Sequence, residues 1–209
     1  MKDKYPKISV LMSVYNAEKF LREAIDSILN QTFKDFEFII INDDSTDSSK
    51  KIILSYKDQR IRYFENDKNL GVAVTLNKGL KLARAKLIAR MDADDISFPN
   101  RFEKQYKKIQ KDKKIAVLAS VYDVVDESGK FLYTEKYAKS PEEIYYTLQF
   151  YNCFGHSTVM FRKHIILDIF NGYDKNHESE DYNLPVDSQS HDANNRNLVF
   201  FSSNSHSPL

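Results

Sequence analysis

Phe36-Glu37-Phe38-Ile39-Ile40-Ile41-Asn42-Asp43-Asp44-Ser45-Thr46-Asp47 is the stretch on which the fold turns. Residues 36–41 are apolar at almost every position, which is the pattern of a β-strand covered on both faces. The run then changes without transition into amides, carboxylates and hydroxyls. Working outward, residues 7–14 read as another buried strand, with Asn16 as the N-cap of the helix that follows. Phe20, Leu21, Ala24, Ile25, Ile28 and Leu29 give that helix one apolar stripe at helical spacing. Downstream, a helix runs through Ile52, Ile53 and Tyr56, and a strand covers residues 61–64. Val72, Leu76, Leu80 and Ala83 mark a further helix, and a strand over residues 87–91 ends on Asp92.

Strand and helix in strict alternation predict an α/β fold, a Rossmann-like, doubly wound and mostly parallel sheet with right-handed crossovers and helices on both faces. In such sheets ligands sit beyond the carboxyl ends of the strands. The polar clusters fall there: residues 13–16 after the first strand, 42–47 after the second, 92–95 after the fourth. Their convergence at one sheet edge defines a candidate site without reference to any known protein.

The second half is less regular. Pro99 opens a helix carrying Phe102, Tyr106 and Ile109, residues 115–122 read as a strand, and residues 126–130 as a hairpin turn. A helix is expected over 141–150, a strand over 157–162 and a short helix over 165–170. From Leu184 the composition shifts to Ser, Asn and His with no lysine, so residues 1–183 are expected to form one catalytic domain and 184–209 a disordered or aberrant tail.

Of 209 residues, 42% are hydrophobic and 29% charged, the balance of a globular domain. Lys+Arg 31 against Asp+Glu 30 leaves a net charge of +1, which gives no field favouring nucleic acid. The single cysteine, Cys153, excludes an intramolecular disulfide and a cysteine-based zinc site. No stretch approaches the ~20 apolar residues of a membrane span, so a cytoplasmic location is expected, with peripheral membrane contact left open.

Arg90-Met91-Asp92-Ala93-Asp94-Asp95 carries the strongest chemical signal. Carboxylates two apart in a tight turn can converge on one hard divalent cation, Mg²⁺ or Mn²⁺, and such an ion can bridge a diphosphate and stabilise the charge that grows as it leaves. The competing reading is a solvated acidic turn ahead of a helix. A carboxylate in the run 42–47 can accept from a base imide or a ribose hydroxyl; the same run also fits an Asx turn with Asp47 or Ser48 as a helix cap.

Taken together, residues 8–16, 41–47 and 92–95, with residues 24–32, 69–71 and 76–80 between them, resemble the inverting family 2 glycosyltransferases in order and approximate spacing. The resemblance covers roughly residues 6–183. It implies a GT-A fold, a nucleoside-diphosphate sugar donor, UDP-linked first, and a carbohydrate or lipid-linked acceptor in glycan or surface-polysaccharide assembly. On this likeness Ser13 and Tyr15 lie along the uridine, and Asp43 holds base or ribose. Asp92 contacts ribose or metal, and Asp94 is the principal ligand of an Mn²⁺ or Mg²⁺ ion. Asp181, in Glu178-Ser179-Glu180-Asp181-Tyr182, corresponds to the family's general base. His156 falls in the acceptor-side segment, with a structural histidine as the competing reading, and Arg101 is a weaker candidate for phosphate contact, a solvated arginine being the plainer reading.

The chain departs from the family pattern at Asn42, where an aspartate is usual, and at Asp44, where a glycine is usual. After Asn183 the likeness stops, and Leu184-Pro185 interrupts the expected helix. Three other classes stay open at this level. One is a binding-only domain that retains nucleotide affinity. A nucleotidyltransferase would want a glycine-rich loop after the first strand, where Tyr15-Asn16-Ala17-Glu18 stands. A phosphohydrolase would want its nucleophile there.

Overall fold

In the computed structural model, residues 5–135, 155–168 and 171–173 are described. Expectations for residues 141–150, Cys153, Asp181 and 184–209 fall outside them.

The elements run β1 (Ile8–Val14), α1 (Leu21–Leu29), β2 (Phe36–Asn42), α2 (Ser49–Ser55), β3 (Ile61–Glu65), α3 (Val72–Leu82), β4 (Leu87–Arg90), α4 (Arg101–Lys111), β5 (Val117–Leu118), β6 (Tyr122–Val125), β7 (Phe131–Glu135), a 3₁₀ turn (His156–Thr158), β8 (Met160–Arg162) and α5 (Lys163–Asp168). The main sheet has six strands in the order β3-β2-β1-β4-β8-β5. β1, β2, β3 and β4 are parallel, with Val14 beside Asn42 and Leu11 beside Arg90. β8 runs antiparallel to both β4 and β5.

The parity of side chains along each strand divides the core. Val10, Met12 and Val14 of β1, Phe38 and Ile40 of β2, and Ala89 of β4 pack against Leu21, Ile25 and Ile28 of α1, Ile53 of α2 and Phe102 of α4. Leu11, Ile39, Ile41 and Ile88 point the other way, onto Leu76 and Leu80 of α3 and Ile165 and Ile166 of α5. Each fully buried aliphatic or aromatic side chain contributes about 1.5–3 kcal/mol, so both faces hold the sheet. α3 lies so close to β1 that a Cβ on Gly79 would collide with the Leu11 side chain.

Three expectations change. Helix α1 begins at Leu21, after a turn closed by Phe20 and Leu21 amides on the Ala17 carbonyl, so Asn16 is not its cap. The strand foreseen over 115–122 is two: β5 leaves the main sheet after Leu118, and Tyr122 opens the β6–β7 hairpin. The hairpin's turn is the one read from sequence; the Asp126 carboxylate accepts from the Ser128 and Lys130 amides. Finally, residues 156–158 form a 3₁₀ turn before β8 rather than part of the strand. Local alternation could not reveal that β8 inserts between β4 and β5, because that placement is a long-range pairing.

Candidate functional site

The chain leaves β1 for β2 on one side and later returns to β4 on the other, so the crevice between the ends of β1 and β4 is the topological switch point of the sheet. Ser13 and Tyr15 end one wall of it. Tyr15 is 51% exposed, with its ring in solvent, and Ser13, half-buried, makes no side-chain hydrogen bond among the described residues. Both groups are therefore available to a ligand.

The loops after β1 and β2 are sewn together. Asn16 adopts φ 48° and accepts from the Thr46 amide at 2.8 Å, while its own amide donates to Ser45 Oγ at 3.1 Å. The Ala17 amide donates to Ser49 Oγ (2.9 Å) and the Glu18 amide to Asp47 Oδ2 (2.9 Å); the Glu18 carboxylate in return accepts from the Ser48 amide (2.8 Å). Burial pushes the Asp47 carboxyl up, but hydrogen bonds from the Ser49 hydroxyl and amide and from the Glu18 amide outweigh it and hold the group below the usual carboxylate range. These groups of residues 45–49 thus serve a clasp between the two loops. Asp44, with φ 60°, occupies the left-handed conformation for which glycine is usual, and asparagine and aspartate tolerate it at small cost.

Asp43 is 2% exposed. Its carboxylate accepts from Asn66 Nδ2 (2.6 Å), the Leu70 amide (3.0 Å) and the Gly71 amide (2.9 Å). It therefore locks the segment leading into α3, whose first residue follows Gly71 at φ 82°. An ionised carboxylate offers about four acceptor sites, so capacity for one ligand donor is left. Asn42, buried, accepts from the Ser45 amide and donates to Glu65 Oε1.

The acidic turn after β4 rests on two arginines. Arg90 is 1% exposed; Nη2 lies 2.5 Å from Asp92 Oδ1, and Nη1 donates to the Met91 carbonyl. Arg101 donates to the carbonyls of Ser157 (2.5 Å) and Arg90 (3.0 Å). Burial pulls its guanidinium down to about 9, against the pull of Asp95 and Asp92, and it stays charged at neutral pH. Arg101 is thus neither a solvated arginine nor a group reaching out for phosphate; it ties the turn to the 3₁₀ segment. The Asp95 carboxyl is pushed up by desolvation and by Asp92 and Asp94, against a hydrogen bond from Ser157. Asp94 is exposed and has no hydrogen-bond or ion-pair partner among the described residues.

For a cation, the turn therefore offers Asp94 freely and Asp92 through the oxygen facing away from Arg90. No group of three or more His, Cys, Asp or Glu side chains gathers as a cage among the described residues. This donor set fits a hard ion that is held by one or two carboxylates, keeps its waters and takes the rest of its shell from a phosphate ligand. His156 is buried, with Nε2 3.3 Å from the Tyr173 hydroxyl and the two rings edge to face, which makes it a packing residue. Arg90, to which sequence reasoning gave no role of its own, holds the acidic turn through Asp92, and Asn16, read as a helix cap within the 13–16 cluster, instead joins the two loops. The signal for Arg90 was visible: a cation at the end of a buried strand, two residues before a carboxylate.

Residues 9–169 match the family model described as glycosyl transferase family 2. Among curated relatives, the chain is 45% identical over 131 residues to the uncharacterized glycosyltransferase MJ1057 of Methanocaldococcus jannaschii, covering 61% of this chain and 45% of that protein. It is 38% identical over 182 residues to the O-antigen biosynthesis glycosyltransferase WbnJ of Escherichia coli, covering 85% and 69%. It spans about half the length, or less, of several others. Among solved structures, S. aureus TarS 1-349 in complex with UDP superposes with a TM-score of 0.70 at 22% identity over 84% of this chain and 53% of that one. The mannosyltransferase PcManGT from Pyrobaculum calidifontis, in complex with GDP-Man and Mn²⁺, gives 0.62 at 18% identity over 86% and 51%. These structural likenesses establish the GT-A fold, and the family match over residues 9–169 takes the place of the nucleotidyltransferase and phosphohydrolase readings. With its switch-point crevice and its sequence both leading to the same group of proteins, the chain belongs to glycosyltransferase family 2.

Proposed function

We propose that the protein transfers a sugar from a nucleoside-diphosphate sugar, UDP-linked first, to a hydroxyl of a carbohydrate or lipid-linked acceptor, with inversion at the anomeric carbon and with a divalent cation assisting. The observation that carries the reading is the pairing, at one edge of the sheet, of an exposed aromatic ring with a carboxylate that has no partner among the described residues: Tyr15 after β1 and Asp94 after β4. A base can stack on the Tyr15 ring, with Ser13 and the remaining acceptor capacity of Asp43 reading its polar edge or the ribose. The diphosphate then lies toward the acidic turn, where its own charge requires a counter-ion between it and Asp92 and Asp94. When bound there, Mn²⁺ or Mg²⁺ supplies Lewis-acid stabilisation of the leaving diphosphate. Asp181, outside the described residues, is proposed as the base that accepts the acceptor's hydroxyl proton.

The structural neighbours' ligands, UDP, UDP-GlcNAc and GDP-Man, support a nucleotide-sugar donor of this class. The relative in O-antigen biosynthesis supports an acceptor in surface-polysaccharide assembly. No helix among the described residues is long and apolar enough to cross a membrane; reaction at the cytoplasmic face, with peripheral contact to lipid-linked acceptors, is part of the proposal. Calorimetric titration of UDP into the purified chain tests it. UDP affinity is expected to rise with Mn²⁺, and Asp94→Ala is expected to abolish that rise. A folded chain that binds UDP under no metal condition would sink the UDP assignment.

A further inference from the structure

The stretch Asn30-Gln31-Thr32 follows the first helix and has no place in the proposed donor contacts. Yet Gln31 is fully buried, in a position where an amide side chain is tolerated only when its polar atoms are met. They are. Its Nε2 lies 2.8 Å from the Phe98 carbonyl, 3.1 Å from Ser97 Oγ and 3.2 Å from the Ser27 carbonyl, and its Oε1 accepts from the Phe102 amide at 3.1 Å. Around it, the Ser97 amide donates to Ser27 Oγ (3.0 Å) and the Thr32 amide to the Pro99 carbonyl (2.8 Å). The C-terminal end of α1 is thereby joined to the segment that leads from the acidic turn into α4.

The other end of the turn is fixed by the sheet, through the Met91 amide on the Leu11 carbonyl and the Arg90–Asp92 pair. Only residues 92–96 lie between the two anchors, and they include every carboxylate of the turn. A short segment held at both ends keeps its carboxylates where a cation and a diphosphate can meet them. Released at one end, it loses that geometry, and displacements of about 1 Å cost about a hundredfold in such sites.

We propose that Gln31 is a positioning residue for the acidic turn, acting through Ser97, Phe98 and Phe102 to hold Asp92 and Asp94 in register with the crevice. The inference rests on the cation-assisted nucleotide reading for its consequence in binding, but its mechanical content stands apart from that reading. Gln31→Met keeps length and volume while removing all polar contacts. Gln31→Glu keeps the acceptor for the Phe102 amide and removes the donors. Two measurements on the full chain separate the cases: hydrogen exchange by peptide, and UDP titration with and without Mn²⁺.

In both variants, peptides covering residues 92–98 are expected to exchange about tenfold faster while β1 and β2 keep their protection, consistent with the loss of buried hydrogen bonds at one anchor. The Mn²⁺-dependent gain in UDP affinity is expected to fall about tenfold, and metal-free UDP affinity to stay within about twofold, since the clasp between the first two loops is untouched. Unchanged exchange over residues 92–98 in folded variants would overturn the proposal. So would a uniform loss of protection across β1 and β2 with both affinities falling together, the mark of a merely structural residue. If the unsubstituted chain shows no Mn²⁺-dependent gain, the cation reading fails and the exchange result alone decides Gln31. Should neither Gln31 variant fold, Ser97→Ala removes one acceptor of the same anchor; local acceleration over residues 92–98 supports the proposal, and none overturns it.

Discussion

Asp92 and Asp94 stand two residues apart in one turn, yet their partners differ. Asp92 faces a guanidinium that is almost wholly enclosed, and its own side chain is 30% exposed; Asp94 faces solvent. Neutralising Asp92 takes the facing carboxylate away from a buried cation, whereas neutralising Asp94 removes only a ligand. Asp92→Asn is therefore expected to lower unfolding free energy by about 3 kcal/mol. Asp94→Asn should stay within about 0.5 kcal/mol of the parent, as surface changes do. Both should lower Mn²⁺-assisted UDP affinity. Urea denaturation beside calorimetry reads the difference, and equal stability losses would refute the division of roles.

Among the elements, the β1–α1 and β2–α2 loops behave as one piece because Asn16 bridges them from a left-handed backbone. Asn16→Ala loses the Thr46 bond and strains the backbone, an expected cost of about 2 kcal/mol. Asn16→Gly relieves the strain and should recover about half of that, a ranking that chemical denaturation can check. Sequence reading identified Asn16 as important and misjudged how. Asparagine is favoured both at helix N-caps and in the left-handed region, and local sequence does not say which applies. The parallel strands β1 to β4 and the ends at which chemistry gathers were legible, since apolar runs covered on both faces leave few alternatives. Tyr15 follows β1, Asp43 follows β2, and Asp92 and Asp94 follow β4, all at the carboxyl edge of the parallel strands. What escaped was whatever depends on contacts far apart in sequence: Gln31 reaching residues 97–102, Arg101 reaching Ser157, and Asp43 being engaged by residues 66–71.

Across the whole molecule, the end of the sheet opposite the crevice holds a buried carboxylate that serves stability alone. Far from the crevice, the buried Glu37 carboxylate accepts from Ser9 Oγ (2.6 Å), Arg62 Nη1 (2.6 Å) and the Arg84 amide (2.7 Å). Glu37→Gln is expected to cost about 3 kcal/mol of stability and to leave UDP affinity unchanged. Tyr15→Ala should do the reverse: no measurable loss of stability, and UDP binding weakened about tenfold through the lost stacking surface. A thermal or urea melt paired with UDP titration checks both, and a variant that moved both quantities would show that the two ends are coupled. The sheet order carries one more implication, for the birth of the protein. Among the described residues β5 pairs with β8 alone, and β4 pairs with β8 on its outer edge. A growing chain can assemble β1 to β4 as soon as residue 90 has emerged, but β4 must then wait with a bare edge, and β5 without a sheet to join, until residues 160–162 are synthesised. During that interval the open edge is a place where another nascent chain could pair. Because β8 lies so late in the sequence, translation sets the earliest moment at which the described sheet can close.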